Sequence, residues 1–186
     1  MGNDTADQLL DSAERLVIER GFNAFSYRDL AAEVGIRTAS IHYHFPAKGD
    51  LGAALMRRYT DRLDAALARL EGRTTSEAAR LTGFVDLYRA TGDRGAICLC
   101  GSLASDLATL PDALRPAVSA YLERSITWIE SAVRRGRAAG EFHGVFDARA
   151  LAESLVAGLQ GALLVARAQS STEVLDHVEA IVLRQL

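Results

Sequence analysis

The sequence predicts an all-α protein, and three observations predict it. Apolar residues recur at three- and four-residue spacing in almost every segment, no stretch of useful length shows strand-like alternation, and Gly, Pro and Ser/Thr/Asp residues stand where helices would start and stop. At 186 residues, with 49% hydrophobic and 24% charged side chains, the chain can bury a sizeable core and is not composed like a disordered one. About nine helices are expected, with no internal repeat or low-complexity tract.

The first helix is expected over residues 5–20 of "TADQLLDSAERLVIERG", with Ala6, Leu9, Leu10, Ala13, Leu16 and Val17 on one stripe, Asp4 or Thr5 as its cap and Gly21 as its stop. "SYRDLAAEVG" opens on Ser26 with Asp29 three residues later, a reciprocal cap for free backbone donors, and stops at Gly35. A short third helix follows over residues 38–45. A long fourth begins at Lys48 or Gly49 and extends to Gly72, with Leu51, Leu55, Tyr59, Leu63, Leu67 and Leu70 in line.

Residues 75–91 carry Ala78, Leu81, Val85 and Tyr88 at helical spacing, and "TGDRGA" breaks the period as a turn. "AICLCGSLASDLATL" reads as one helix ended by Pro111. Residues 112–139 read as another, closed by "GEFHG"; residues 148–168 form a broad apolar helix, and residues 172–185 a last one.

The informative stretch is "VGIRTASIHYHFPAK", residues 34–48, which gathers Arg37, His42, Tyr43, His44 and Lys48 with no acidic residue, in a chain of net charge −3. That net charge excludes a broadly basic coat, so any nucleic-acid contact is local. Two short helices joined at "EVGIRT" have the form of a helix-turn-helix, with Gly35 permitting the tight turn. At about 100° per residue, Ile41 and Phe45 share the inward face of the second, while Ala39 and Tyr43 point away, flanked by Ser40 and His42. Such a face suits a major groove. Arg28 on the preceding helix can meet a guanine, and Lys48, at the start of the fourth, is placed for a phosphate.

These residues carry a resemblance. "FSYRDLAAEVGIRTASIHYHFPAKGDL" resembles the N-terminal DNA-binding domain of the Tet repressor family, through Ser26, Leu30, Ala31, Val34, Gly35, Ile36, Ser40, His42, Tyr43, His44, Phe45, Lys48 and Leu51. The resemblance implies a helix-turn-helix DNA-binding domain over residues 1–48 and a helical effector-binding and dimerisation domain over residues 49–186. It implies a ligand-responsive regulator, a repressor, that binds a palindromic double-stranded DNA operator as a homodimer and is released by a small molecule.

By the same resemblance, Tyr43, His44 and Lys48 hold phosphates, and Ser26, Arg28, Arg37, Thr38, Ser40 and His42 face bases or the flanking backbone. Arg37, Thr38 and Ala39 depart from the family's usual Ser, Lys and Gly, so Thr38 is expected to take over the cap of the recognition helix. His42 replaces a commoner Tyr.

"GAICLCGSLASDLATL" resembles a segment of one branch of the family in which a cysteine senses oxidants or electrophiles, and Cys98 would be that residue. On a continuous helix Cys98 would join Ser102, Ser105 and Thr109 on a polar stripe, and Cys100 would join Leu103, Leu107 and Leu110 on an apolar one. For the effector, Phe84, Tyr88, Cys98, Ser102, Tyr121, Trp128 and Leu159 are the expected lining. Gly158 and Gly161 are expected to let residues 148–185 approach a second copy closely.

Other classes fare less well. Two cysteines make no disulfide scaffold, and Cys98, Cys100, His143 and His177 lack the paired spacing of a zinc site, so neither metal nor cofactor is expected. A small helical thiol oxidoreductase using both cysteines is the enzyme alternative, but no base stands near them in sequence and no phosphate-binding loop is present. No uninterrupted apolar run approaches the roughly 18 residues of a membrane span, and the N-terminus lacks the features of a secretory signal, so the expected location is the cytoplasm.

Overall fold

The computed structural model describes residues 2–186; Met1, at the start of the segment read for a signal, lies outside the described residues. Nine α-helices and two short 3-10 turns appear among the described residues, with no strand. The helices are α1 (Gly2–Arg20), α2 (Tyr27–Val34), α3 (Thr38–His44), α4 (Lys48–Arg73), α5 (Glu77–Gly92), α6 (Leu99–Ser105), α7 (Arg115–Ala138), α8 (Ala148–Gln169) and α9 (Glu173–Leu183). Two compact units result: one of Met1–Arg62 with Leu99–Ala120, the other of Leu63–Cys98 with Tyr121–Leu186. Both α4 and α7 contribute residues to each.

The first unit has a core of Leu9, Leu16, Leu30, Ile41, Leu51, Leu55, Met56, Leu99, Leu103 and Leu114, all essentially inaccessible. Of the stripes read from α1 and α4, Leu9, Leu10, Ala13, Leu16, Val17, Leu51, Leu55, Leu63 and Leu67 are buried, and Ala6, Tyr59 and Leu70 are half-buried. Asp4 and Thr5 lie inside α1, which begins at Gly2, so neither caps it. The 21–25 turn is tied down from a distance: the Phe22 amide donates to Asp106 (3.0 Å) and Asn23 donates to the Thr109 hydroxyl (2.7 Å).

In the second unit the core is Leu81, Phe84, Val85, Ile129, Ala132, Val133, Ala152, Leu155, Leu159, Leu163 and Leu175. Ala78, expected on the buried stripe of α5, is exposed, and Glu77 is buried in its place. Glu77 can be buried because Arg80 and Arg135 both pair with it, Arg135 through Nε at 2.7 Å. Glu141 caps the same helix, accepting from the amides of Glu77 (3.1 Å) and Ala78 (3.2 Å) and the Ser76 hydroxyl (2.9 Å); those bonds, the amides' first, hold its carboxyl below the usual range.

α8 runs beside α9 of the same chain. Gly158 serves that packing, because a Cβ there would lie 2.9 Å from Val178, whereas Gly161 faces open space. Of the two glycines expected to admit a second copy, Gly158 is thus used within the chain. Among the described residues only α8 is long and apolar enough to cross a membrane by length and composition, and 44% of that span is buried inside the protein.

Candidate nucleic-acid interface

α2 starts as its sequence predicts. The Asp29 carboxylate accepts from the Ser26 amide (2.8 Å) and hydroxyl (2.6 Å), and the Asp29 amide donates back to the Ser26 oxygen (3.4 Å). The hydrogen bonds from Ser26 hold the Asp29 carboxyl below its usual range. Gly35 ends the helix at φ +75°, a left-handed conformation that a side chain would strain, and its amide donates to Ala31 (3.0 Å).

α3 then turns its two halves as the helical angles require. Ile41 (0% exposed) and Phe45 (8%) face inward, and the Tyr27 hydroxyl donates to the Phe45 carbonyl (2.9 Å), pinning the end of α3 to α2. Burial, and secondarily the Asp50 charge, push the Tyr27 hydroxyl up to about 12, so it keeps its proton and its bond. Outward stand Arg37, Thr38, Ala39 and Ser40, all exposed, and Tyr43, which is 84% exposed with its ring edge-on to His44 at 5.1 Å. An exposed phenol on a rigidly held seven-residue helix has no packing role in this chain.

A shallow groove of about 560 Å³ runs over this face, lined by Thr5, Ile36, Arg37, Ala39, Ser40, Tyr43 and His44. Thr5 is the residue that sequence reasoning missed. Helical spacing placed it as a cap, and nothing local signals that the start of α1 reaches α3. Ser26 and Arg28 are exposed on α2.

The cap expectation is corrected, and two of the expected contact residues are found engaged within the chain. The N-cap of α3 is Arg37, not Thr38, and no side chain satisfies the free amides there; Thr38 is the first helical residue. His42 is exposed at the flank of the outward face, where its Nδ1 bonds the Pro46 carbonyl (3.1 Å) and its ring meets Tyr27 edge-on at 4.9 Å. Lys48 is not a free cation beside the groove. Its ammonium donates to the carbonyls of Phe22 and Phe25 and lies over both rings, 4.8 and 4.1 Å from their centroids. Burial lowers its pKa. Asp50 meanwhile accepts from the Ala47 amide (2.9 Å), so part of the donor array at the start of α4 is already taken.

The expected effector residues divide. Phe84 stacks on Trp128 (5.7 Å, 22° between planes) and meets Tyr88 at 5.6 Å, whose hydroxyl accepts from Gln160 (3.2 Å). Tyr121 and Leu159 are buried in the same unit. Ser102 belongs to the other unit, where its hydroxyl donates to the Val17 carbonyl (3.0 Å).

The cysteines also depart from expectation, because α6 begins only at Leu99 and is followed by a 3-10 turn, Leu107–Thr109. No continuous helix sorts the two thiols onto opposite stripes. Cys98 (4% exposed) and Cys100 (0%) are both buried, and the Cys100 thiol donates to the Val118 carbonyl (3.5 Å). Cys98 lacks the access that a reactive thiol needs.

Comparison with known proteins agrees with this geometry. The model described as "Bacterial regulatory proteins, tetR family" matches residues 9–55, and "Tetracyclin repressor-like, C-terminal domain" matches residues 78–182. The chain is similar to the HTH-type transcriptional repressor DhaR of Mycobacterium sp. (strain GP1), 24% identical over 179 residues, 96% of this chain and 90% of that protein. It is also similar to the transcriptional regulator AcuR of Cereibacter sphaeroides, 29% identical over 154 residues, 80% of this chain and 70% of that one. A solved TetR-family regulator from Agrobacterium tumefaciens superposes with a TM-score of 0.95 at 32% identity, covering 100% of this chain and 99% of its own.

Proposed function

This chain belongs to the TetR family of bacterial transcriptional regulators, and from that premise we propose a homodimeric repressor that binds a palindromic operator through α3 and leaves it when a small molecule binds the second unit. The observation that carries the reading is Tyr43: 84% exposed on a helix whose opposite side is locked by Ile41, Phe45 and the Tyr27 hydroxyl. Residues 1–48 do the reading, and residues 49–186 bind the effector and the second copy.

Arg37, Ser40, Tyr43 and His44 take the phosphates and base edges along the groove, with Arg28, Ser26 and Thr38 at its margin. Lys48 acts as a positioning residue that ties the 21–25 turn to the start of α4. The second copy is assigned to the uncovered stripe of Ala157, Gly161, Leu164, Val165 and Ala168 on α8, continued by Ala180 and Ile181 on α9, where Leu164 is 55% and Ile181 63% exposed. Two-fold symmetry then spaces the recognition helices for half-sites about 10 bp apart, or a multiple.

Release requires an effector with different affinities for the DNA-competent and DNA-incompetent states. Repression is the sense taken, since DhaR carries that description. The test is electrophoretic retardation of DNA from beside the protein's own gene. The wild type should bind with steep salt dependence, and Tyr43→Ala should lose about tenfold or more in affinity while melting as the wild type does. Equal affinity of the two proteins defeats the reading.

A further inference from the structure

Trp128 is the only tryptophan of the chain, and its indole Nε1 is buried with no hydrogen-bond acceptor among the described residues. A buried N–H donor left unmade is costly, and in a native protein it asks for a partner. We propose that Trp128 is the hydrogen-bond anchor of the effector, and that the effector is an uncharged, planar or apolar molecule carrying an acceptor oxygen. This inference rests on the effector reading above.

The surroundings give the chemical class. Phe84 stacks on the indole, and Tyr88 packs on Phe84, so the wall beside the donor is aromatic. The nearest charges along α7 are already paired: Arg124, one turn before Trp128, with Asp64, Glu130 with Arg134 (2.6 Å), and Arg135, two turns after, with Glu71 and Glu77. Arg137 lies nine residues on, at about 180° around the helix, and faces away. A charged ligand would find no unpaired counter-charge among these α7 neighbours, and burying its charge unpaired would be costly. A carbonyl or ether oxygen needs none and satisfies the N–H.

The single tryptophan makes the test site-specific. Acetophenone and ethylbenzene are close in shape, and only the first has an acceptor. Acetophenone should move the one indole N–H resonance of the 15N-labelled wild-type protein downfield and should bind about tenfold more tightly than ethylbenzene, the upper end of one neutral hydrogen bond. Trp128→Phe keeps the ring on Phe84 and removes the donor, and should bring the two affinities together while retaining DNA binding.

Equal affinity of the two probes for the wild type, a preference that survives in Trp128→Phe, or no saturable acetophenone binding overturns the inference. Retardation of operator DNA in the presence of acetophenone separates the two layers. Release that persists in Trp128→Phe sinks the anchor and leaves the effector reading standing, whereas Trp128-dependent binding with no release sinks the effector reading instead.

Discussion

The reading head, residues 21–50, and the second unit hold their polar side chains in different ways. In the head most bind backbone: Ser26 and Asp29 cap α2, Tyr27 donates to the Phe45 carbonyl, His42 bonds Pro46, Asp50 accepts from Ala47, and Lys48 donates to Phe22 and Phe25, while Glu33, paired with Arg15, and Asn23, bonded to Thr109, meet side chains instead. In the second unit charge meets charge: Glu77 with Arg80 and Arg135, Arg89 with Asp86, Asp176 and Glu179, Arg149 with Glu123 and Glu153. Helix length is the reason. Helices of eight and seven residues leave about as many backbone groups unpaired at their ends as they pair inside, and side chains must supply the rest. Helices of 22 and 24 residues satisfy themselves and use side chains to join one another.

The difference can be broken or sharpened by experiment, beginning with its most buried charge. Glu77→Ala leaves Arg80 and Arg135 facing a vacated site, and should cost roughly 3 kcal/mol or more in urea denaturation. A loss under about 1 kcal/mol would put this network on the footing of surface pairs. Lys48→Met strips donors from two carbonyls, and should cost about 2 kcal/mol. Its DNA affinity should fall while the slope of log K against log salt stays that of the wild type. A slope lower by about one would instead make Lys48 a phosphate contact.

Ser26→Ala removes one half of the capping box and should cost about 1 kcal/mol, read in the faster amide exchange of the first turn of α2. Protection equal to wild type would mean that the head does not depend on this cap.

The pH profile should have two arms of different origin. Tyr27 is raised from 10.0 to about 12 in the folded state, so the stability it contributes is full below pH 10.0 and is lost as pH rises from there through about 12. Glu123 is held by Arg149 and Thr127 at about 2 against an ordinary 4.5, so its contribution is full above pH 4.5 and is lost as pH falls toward about 2; Glu141 and Asp29 act in the same direction. Tyr27→Phe should flatten only the alkaline arm of a melting-temperature profile. The smallest effect is expected at the surface: Arg149→Gln should lower the melting temperature slightly in low salt and not measurably in high salt, since its pairs are exposed and screened.

Much of the head was legible in the sequence because its determinants are local. The Ser26–Asp29 cap, the left-handed Gly35 and the inward pair Ile41 and Phe45 each follow from residues no more than four positions apart. His42 and Lys48 were not legible. Both sit where spacing directs them outward, and spacing does not show what they meet: Tyr27 and the Pro46 carbonyl for His42, which stays exposed, and the carbonyls and rings of the 21–25 turn for Lys48. In the second unit the aromatic neighbours Phe84, Tyr88 and Trp128 were anticipated as lining residues, but Gln160, whose amide reaches Tyr88, carried no signal.

By itself the sequence determined that the chain is helical and that two short helices meet at a left-handed Gly35, because backbone capping and helical periodicity act over a turn or two. Only the tertiary structure decided that the Ser102 hydroxyl bonds the Val17 carbonyl, that both thiols are buried, and that Trp128 keeps an unanswered donor. Those outcomes depend on contacts between residues tens of positions apart. Whether a polar atom is paired, free or orphaned is set by what packs against it, and no helical angle contains that information.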